Sequence, residues 1–211
     1  MAEHWKKLIE KALEILEMAN MSPEEWSFGG GSALTMYYHH RESFDVDIFV
    51  TDAQHLLLLT PRLASFNVEI RDYTEMSNFV KLKLDEGEID FILAPHLNRD
   101  WYVEKTIMDR KIRIETPWEI VTKKLFYRPE SLKIRDIIDT AVVLKNERKK
   151  MSEQIPIIAP KFEIIDLRWK NVKEFYEKEA EKLIIHDKSI VDIGKKVFDD
   201  YLAEIKIYLK I

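Results

Sequence analysis

Cysteine is absent from the 211 residues, which removes thiol nucleophiles, Cys-ligated zinc and iron–sulfur clusters from consideration. Glycine occurs only five times and glutamine only at positions 54 and 154. No stretch approaches the roughly 18 consecutive apolar residues that a membrane helix needs. Met1 to Asn20 is studded with charge and has no secretory apolar run, so the expectation is a soluble, cytoplasmic protein that engages no membrane. What is present is a 46% hydrophobic, 34% charged chain. That composition builds a core and a solvated surface, and it excludes low-complexity disorder and collagen-like repeats. The length suits one large domain or one domain with an appendage.

Charge is divided unevenly. Residues 1–104 hold nine Lys/Arg against nineteen Asp/Glu, a balance of −10, whereas residues 105–211 hold twenty-four against nineteen, a balance of +5. Such a chain can seat cations in its first half and phosphates in its second, although unevenly solvated faces give the same numbers.

Apolar residues at Trp5, Leu8, Ile9, Leu13, Ile15 and Leu16 predict a helix over residues 3–19. Ser22, Pro23 and Glu25 read as a helix cap or turn. Asp45 to Val50 alternates acid and apolar residues, as a strand with one polar side does. A helix is predicted over Asp52–Leu63, broken or bent near Pro61, and strands over Asn67–Arg71, Asn78–Leu84, Glu88–Leu93 and Lys111–Glu115. Asp85-Glu86-Gly87 suits a hairpin turn. After Pro117 the pattern becomes helical: Trp118–Tyr127, Leu132–Lys149, Val172–Ile185 and Ile190–Leu209, with Pro156 and Pro160 marking a connection. The expected class is α+β: a mixed β-sheet flanked by helices over residues 1–115, followed by a helical part over residues 116–211.

Three of the five glycines are consecutive, Gly29-Gly30-Gly31, and Ser32 follows at the start of a predicted helix. A turn of this kind presents free N–H groups to a phosphate, although a plain flexible loop has the same composition. Neither the P-loop nor the dinucleotide fingerprint is matched. Thirteen positions beyond Ser32 comes Asp45 and then Asp47, set among Phe44, Val46, Ile48 and Phe49. Residues i and i+2 of a strand share a side, so two carboxylates project together from an apolar strand. That placement is expensive unless cations sit between them, and hard oxygen donors suit magnesium or manganese. The alternative is an edge strand with two solvated aspartates. Asp90 repeats the pattern within Glu88-Ile89-Asp90-Phe91-Ile92-Leu93, where Glu88 shares its face as a partner or as a surface residue. Three acids on strands opposite a glycine–serine turn describe a two-metal phosphoryl-transfer site.

Gly30-Gly31-Ser32-Ala33-Leu34, followed by His40-Arg41-x-Ser43-x-Asp45-x-Asp47, resembles the AbiEii-type nucleotidyltransferases of abortive-infection and toxin–antitoxin systems. These belong to the DNA polymerase β-like nucleotidyltransferase superfamily. Glu119-Ile120-x-x-x-Lys124-Leu125 ahead of Arg135-Asp136-x-x-Asp139 resembles the family's lysine helix and its Arg-Asp-x-x-Asp helix. The resemblance spans about residues 24–145. The arginine often found between the two helices has only Arg128 as a counterpart, earlier than the pattern asks.

The resemblance implies a nucleotidyltransferase-type sheet. It further implies that Gly30, Gly31 and Ser32 grip the terminal phosphates of an NTP, that Asp45 and Asp47 bind Mg2+ or Mn2+, and that Asp90 completes the metal site or activates the attacking hydroxyl. Lys124 would neutralise phosphate charge, and Arg41 and Asp136 would contact nucleotide. Lys124 beside Lys123 also reads as a solvated helix lysine. Arg41 also reads as a partner of Glu42 or of a strand acid, and Arg135 with Asp139 as a helix-surface pair. His39 and His40 lack zinc spacing and read as packing residues. The expected activity is transfer of a nucleoside monophosphate to an RNA or tRNA 3′ end or to a protein hydroxyl, by a toxin with a possible cognate antitoxin. The competing readings are a non-catalytic nucleotide-binding module that acts through a partner protein and a metal phosphohydrolase.

Overall fold

A computed structural model describes residues 5–211, so the first two positions of the predicted N-terminal helix lie outside the described residues. The chain divides into two compact units. The first comprises residues up to Met36, Ser43–His96 and Asp100–Thr116; the second comprises Tyr37–Glu42, Leu97–Arg99 and Pro117–Ile211.

The first unit is built on a mixed seven-stranded sheet. Its strands are β1 (Trp26–Gly29), β2 (Val46–Val50), β3 (Asp72–Met76), β4 (Phe79–Leu84), β5 (Gly87–Leu93), β6 (Tyr102–Ile107) and β7 (Arg110–Glu115). The spatial order is β3-β4-β5-β2-β1-β7-β6. β2 runs parallel to β5 and β1 parallel to β7, while the other neighbours are antiparallel. Strand alternation sorts the two faces. Val46, Ile48 and Val50 of β2, Val80 and Leu82 of β4, and Ile89 and Phe91 of β5 are buried. Helix α1 (Trp5–Met18) turns Leu8, Ile9, Ala12, Ile15 and Leu16 inward and packs on β2 and β5. Helix α3 (Ala53–Leu59) packs on the same strands and is capped by Asp52, whose side chain accepts the Gln54 N–H at 2.8 Å. The opposite face carries Asp47, Phe49, Glu88 and Asp90 in half-buried positions.

Helix α2 (Gly30–Tyr38) starts in the first unit and ends in the second. The second unit is helical: α4 (Pro117–Tyr127), α5 (Ile134–Asn146), α6 (Arg148–Glu153), α7 (Ile155–Ile158), α8 (Phe162–Val172), α9 (Tyr176–Ala180) and α10 (Lys188–Leu209). α5 is buried along most of its length and packs on α4 and α10. Residues 39–42 are stitched to the tail: Glu42 donates its N–H to Ile184, His186 donates to His40, and Arg41 bridges Ile185.

Several predicted elements shift. The strand expected over Asn67–Arg71 is absent, and its place is taken by β3 at Asp72–Met76. β3 is an edge strand bonded only to β4, and its exposed residues give no burial alternation to read. β1 was missed for the opposite reason, since all four of its residues are buried. β6, the other edge, was missed as well. The helix expected to reach Leu63 ends at Leu59, ahead of Pro61. Val172–Ile185 is broken into a short 3₁₀ turn, α9 and a bridge. Pro156 and Pro160 sit at the first positions of helical turns, where a missing N–H costs nothing, so α7 and α8 occupy the expected connection.

Candidate active site

Strand register lays the first unit's acids in a row. Asp47 of β2 lies directly beside Asp90 of β5, and Asp90 lies directly opposite Lys81 of β4. On the other side Asp47 faces Gly29 of β1. Paired residues in neighbouring strands project to the same face, so Lys81, Asp90 and Asp47 share one side of the sheet. Asp45 stands two residues before Asp47, just ahead of β2, and Glu88 two residues before Asp90.

The glycine turn fits against this row. Gly30 has φ +68°, a left-handed conformation that L side chains rarely adopt. A Cβ there would fall 1.8 Å from Asp47 Oδ2, so glycine lets the backbone at the start of α2 press against the carboxylate. Ser32 donates its hydroxyl to the Asp45 carbonyl and pins the segment that leads into β2. Thr35 donates to the Gly31 carbonyl at 3.0 Å. The structure thus brings together Gly30, Gly31, Ser32, Asp45, Asp47 and Asp90 of the residues expected from sequence.

Asp90 is electrostatically strained. Burial and then the charge of Asp47 push its carboxyl up to about 6, against the pull of Lys81, which donates to Oδ2 at 2.9 Å. Among the described residues its Oδ1 is buried and has no hydrogen-bond partner. A half-unsatisfied carboxylate beside a second one, with oxygen donors only, fits a magnesium- or manganese-type ion.

One acid of this face escaped the sequence reading. Phe28 pairs with Ile114, which puts Glu115 at the end of β7 next to Gly29. Glu115 is fully buried, accepts the Ser27 hydroxyl at 3.0 Å, and its Oε2 lies 2.5 Å from where a Gly29 Cβ would stand. The available signal was an acid closing a predicted strand immediately before Thr116-Pro117.

The other expected residues meet inside the second unit. Asp139 of α5 is fully buried and accepts from Arg41 Nε at 2.7 Å and Nη2 at 2.8 Å, with His40 Nε2 2.8 Å away and the Lys124 ammonium in contact. Asp136, one turn earlier, accepts from Lys124 at 3.0 Å, from Arg128 at 2.7 Å and from the Lys133 N–H at 3.0 Å. Arg41, Lys124 and Asp136 are therefore one cluster, and Arg128 has a role in it as the Asp136 partner. Arg41 has Asp139 as a carboxylate partner and donates to the Glu42 carbonyl at 2.8 Å. His40, read as a packing residue, is fully buried with its ring nitrogen on Asp139. Burial alone would raise Asp139, but Arg41, Lys124 and His40 hold it well below the usual carboxylate range. Asp136 is lowered in the same way, burial being outweighed by Lys124 and Arg128. Glu119, also fully buried, accepts the Leu97 N–H at 2.9 Å and the Asn98 N–H at 3.1 Å and so anchors the 97–99 segment to α4.

The sheet and its flanking helices define a nucleotidyltransferase-type fold. MenT4, a nucleotidyltransferase toxin from Mycobacterium tuberculosis H37Rv, superimposes with a TM-score of 0.55 at 12% identity, over 96% of this chain and 86% of that one. An H. pylori protein described as a nucleotidyltransferase gives a TM-score of 0.50 at 12% identity, over 99% of both chains. At that identity these likenesses carry the fold. A sequence comparison with curated proteins gives no match. The family profile described as "Nucleotidyl transferase AbiEii toxin, Type IV TA system" matches residues 15–204. The chain belongs to the AbiEii nucleotidyltransferase toxin family, and the match takes in most of the tail beyond residue 150, for which the sequence reading had no relative. No helix among the described residues is long and apolar enough to cross a membrane.

Proposed function

We propose that the protein transfers a nucleoside monophosphate from an NTP to an acceptor hydroxyl, on an RNA or tRNA 3′ end or on a protein, and releases pyrophosphate. Asp45, Asp47 and Asp90 hold the divalent ion, Mg2+ or Mn2+. When bound, that ion polarises the phosphate and offsets the charge that builds on the entering and leaving oxygens. The observation that carries the reading is the Asp47–Asp90 pair, in direct strand register, with Asp90 Oδ1 buried and unpartnered.

The chain's own groups divide the remaining work. Gly30, Gly31 and the backbone at Ser32 offer N–H groups at the start of α2 to the terminal phosphates, and the bond from Ser32 to the Asp45 carbonyl fixes the acids relative to that turn. Once the row's acids are compensated, Asp90 has the burial and strand position to accept the proton of the acceptor hydroxyl. The proposed nucleotide contacts of Arg41, Lys124 and Asp136 rest on the family resemblance, and within the helical unit Asp136 holds Lys124 in place. Arg41, Lys124 and Arg128 gather around the two acids Asp136 and Asp139 in this cluster. The sheet-bearing residues 1–115 carry the transfer chemistry, and residues 116–211 supply the cationic helices. The family is described as a toxin of a Type IV toxin–antitoxin system; in this reading the protein acts in the cytoplasm and has a cognate antitoxin.

The test is incubation of the purified protein with each labelled NTP in turn, Mg2+ and total RNA. Label on RNA or on protein, lost with chelator, is the expected result. Free monophosphate or inorganic phosphate with no labelled acceptor would mean hydrolysis, and no turnover of any NTP would leave only nucleotide binding.

A further inference from the structure

Lys81 is a residue that neither the family motif nor the proposed chemistry uses. Alternation along β4 sends Val80, Leu82 and Leu84 into the core and Phe79, Lys81 and Lys83 to the half-exposed face. Any polar residue satisfies that pattern, yet the two lysines are placed differently. Lys83 pairs with Asp72 at 2.9 Å in the open, with side chains 45% and 61% exposed. Lys81 sits between Asp90, directly opposite at 2.9 Å, and Glu88 on the diagonal, with side chains only 26%, 18% and 35% exposed. The first is an ordinary surface bridge, while the second is a cation held against partly desolvated acids, where charge counts for more.

Resting on the metal-site reading above, we infer that Lys81 is the resident counter-cation of the carboxylate row, a positioning residue that holds Asp90 and Glu88 in the metal-free protein and competes with divalent ions for them. Three features combine. Of the two Asp90 oxygens Lys81 engages Oδ2, and Oδ1 is left without a hydrogen-bond partner among the described residues. The row otherwise contains Asp45, Asp47, Glu88 and Asp90 with no other cation bonded to Glu88 or Asp90 among the described residues. The lysine stem is flexible where the strand backbone is not, so the ammonium can withdraw toward Glu88, or toward an anionic ligand, as an ion arrives. A row guarded in this way takes metal weakly alone and more strongly together with a nucleotide, whose phosphates neutralise the displaced lysine.

The sign of the effect separates this from a structural salt bridge. A purely structural Lys81 predicts that its removal damages the sheet and weakens or leaves unchanged every other interaction nearby. Competition predicts tighter metal binding. The experiment is calorimetric titration of Mn2+ alone into wild type, Lys81→Met and Lys81→Arg, with the melting temperature of each measured in chelator. Lys81→Met is expected to melt below wild type in chelator and to bind Mn2+ at least about tenfold more tightly, roughly 1.4 kcal/mol. Lys81→Arg keeps the charge and is expected to bind close to wild type, which covers the case in which methionine disturbs the fold. Tighter binding by Lys81→Met when wild type shows none also supports the inference. Mn2+ binding by wild type with equal or weaker binding by Lys81→Met overturns the competition alone. Absence of binding in all three proteins overturns it together with the metal-site reading.

Discussion

Two pairs of aspartates in this chain meet opposite electrostatic fates. Asp136 and Asp139, both fully buried in the helical unit, are surrounded by Arg41, Lys124, Arg128 and His40 and held below the ordinary carboxylate range. Asp47 and Asp90, less buried, lie side by side on adjacent strands, and Asp90 is pushed up to about 6 with one oxygen left without a partner. Burial alone does not decide which acid is strained; the supply of cations does. The helical unit brings its own counter-charges, whereas on the sheet Lys81 serves both Glu88 and Asp90 and leaves Asp90 Oδ1 unpartnered.

The largest expected effect breaks the compensated pair. Asp139→Asn keeps the shape but leaves Arg41 and Lys124 buried with insufficient negative charge, so urea unfolding should show a loss of about 3–5 kcal/mol. Asp47→Asn should do the reverse. Transfer activity should fall by about 100-fold or more, as with other lost transition-state electrostatic groups. Its stability in chelator should be unchanged or higher, because a repulsion is relieved. If Asp47→Asn unfolds as readily as Asp139→Asn, the two pairs are not different in kind.

A smaller effect lies in pH dependence, where the two pairs carry opposite signs. Asp90 titrates higher in the folded protein than in the unfolded chain, near 4, so its contribution is fully present below that value and is lost as pH rises through about 6. Asp139 is depressed, so its contribution is present above the unfolded value and lost as pH falls toward and below it. Without metal, Asp90→Asn should therefore stabilise the protein at pH 7.5 and do little at pH 4, as the difference in unfolding midpoint from wild type will show. The smallest effect is the control. Lys196→Ala removes an exposed pair with Asp200 on α10 and should leave the unfolding midpoint within error.

How legible each half was follows from the same physics. The acid row could be read because strand parity is strict: Asp-x-Asp in one apolar segment and Asp90 in another announce three carboxylates on the face opposite the apolar core residues without any tertiary knowledge. Their adjacency was not written in the pattern, since it depends on β2 pairing with β5 across 36 intervening residues at register Asp47 to Asp90. The buried cluster was harder. Arg41 and Asp139 are 98 positions apart, and helical spacing offered Arg135 as the partner instead. β1 and β3 were lost because one strand is wholly buried and the other wholly at an edge, so neither alternates. Glu115 stayed hidden because the acid that ends a strand looks like any surface charge until Gly29 is seen against it.

The most direct test of the central claim, that the sheet's acids are left short of cations in order to receive them with a nucleotide, is thermal unfolding of wild type and Asp90→Asn at pH 7.5 in chelator, with Mg2+, with NTP, and with both. The account predicts that wild type gains most with Mg2+ and NTP together and that Asp90→Asn, more stable than wild type in chelator, gains far less. No shift of wild type with any combination at millimolar ligand, or an equal shift in Asp90→Asn, would contradict it.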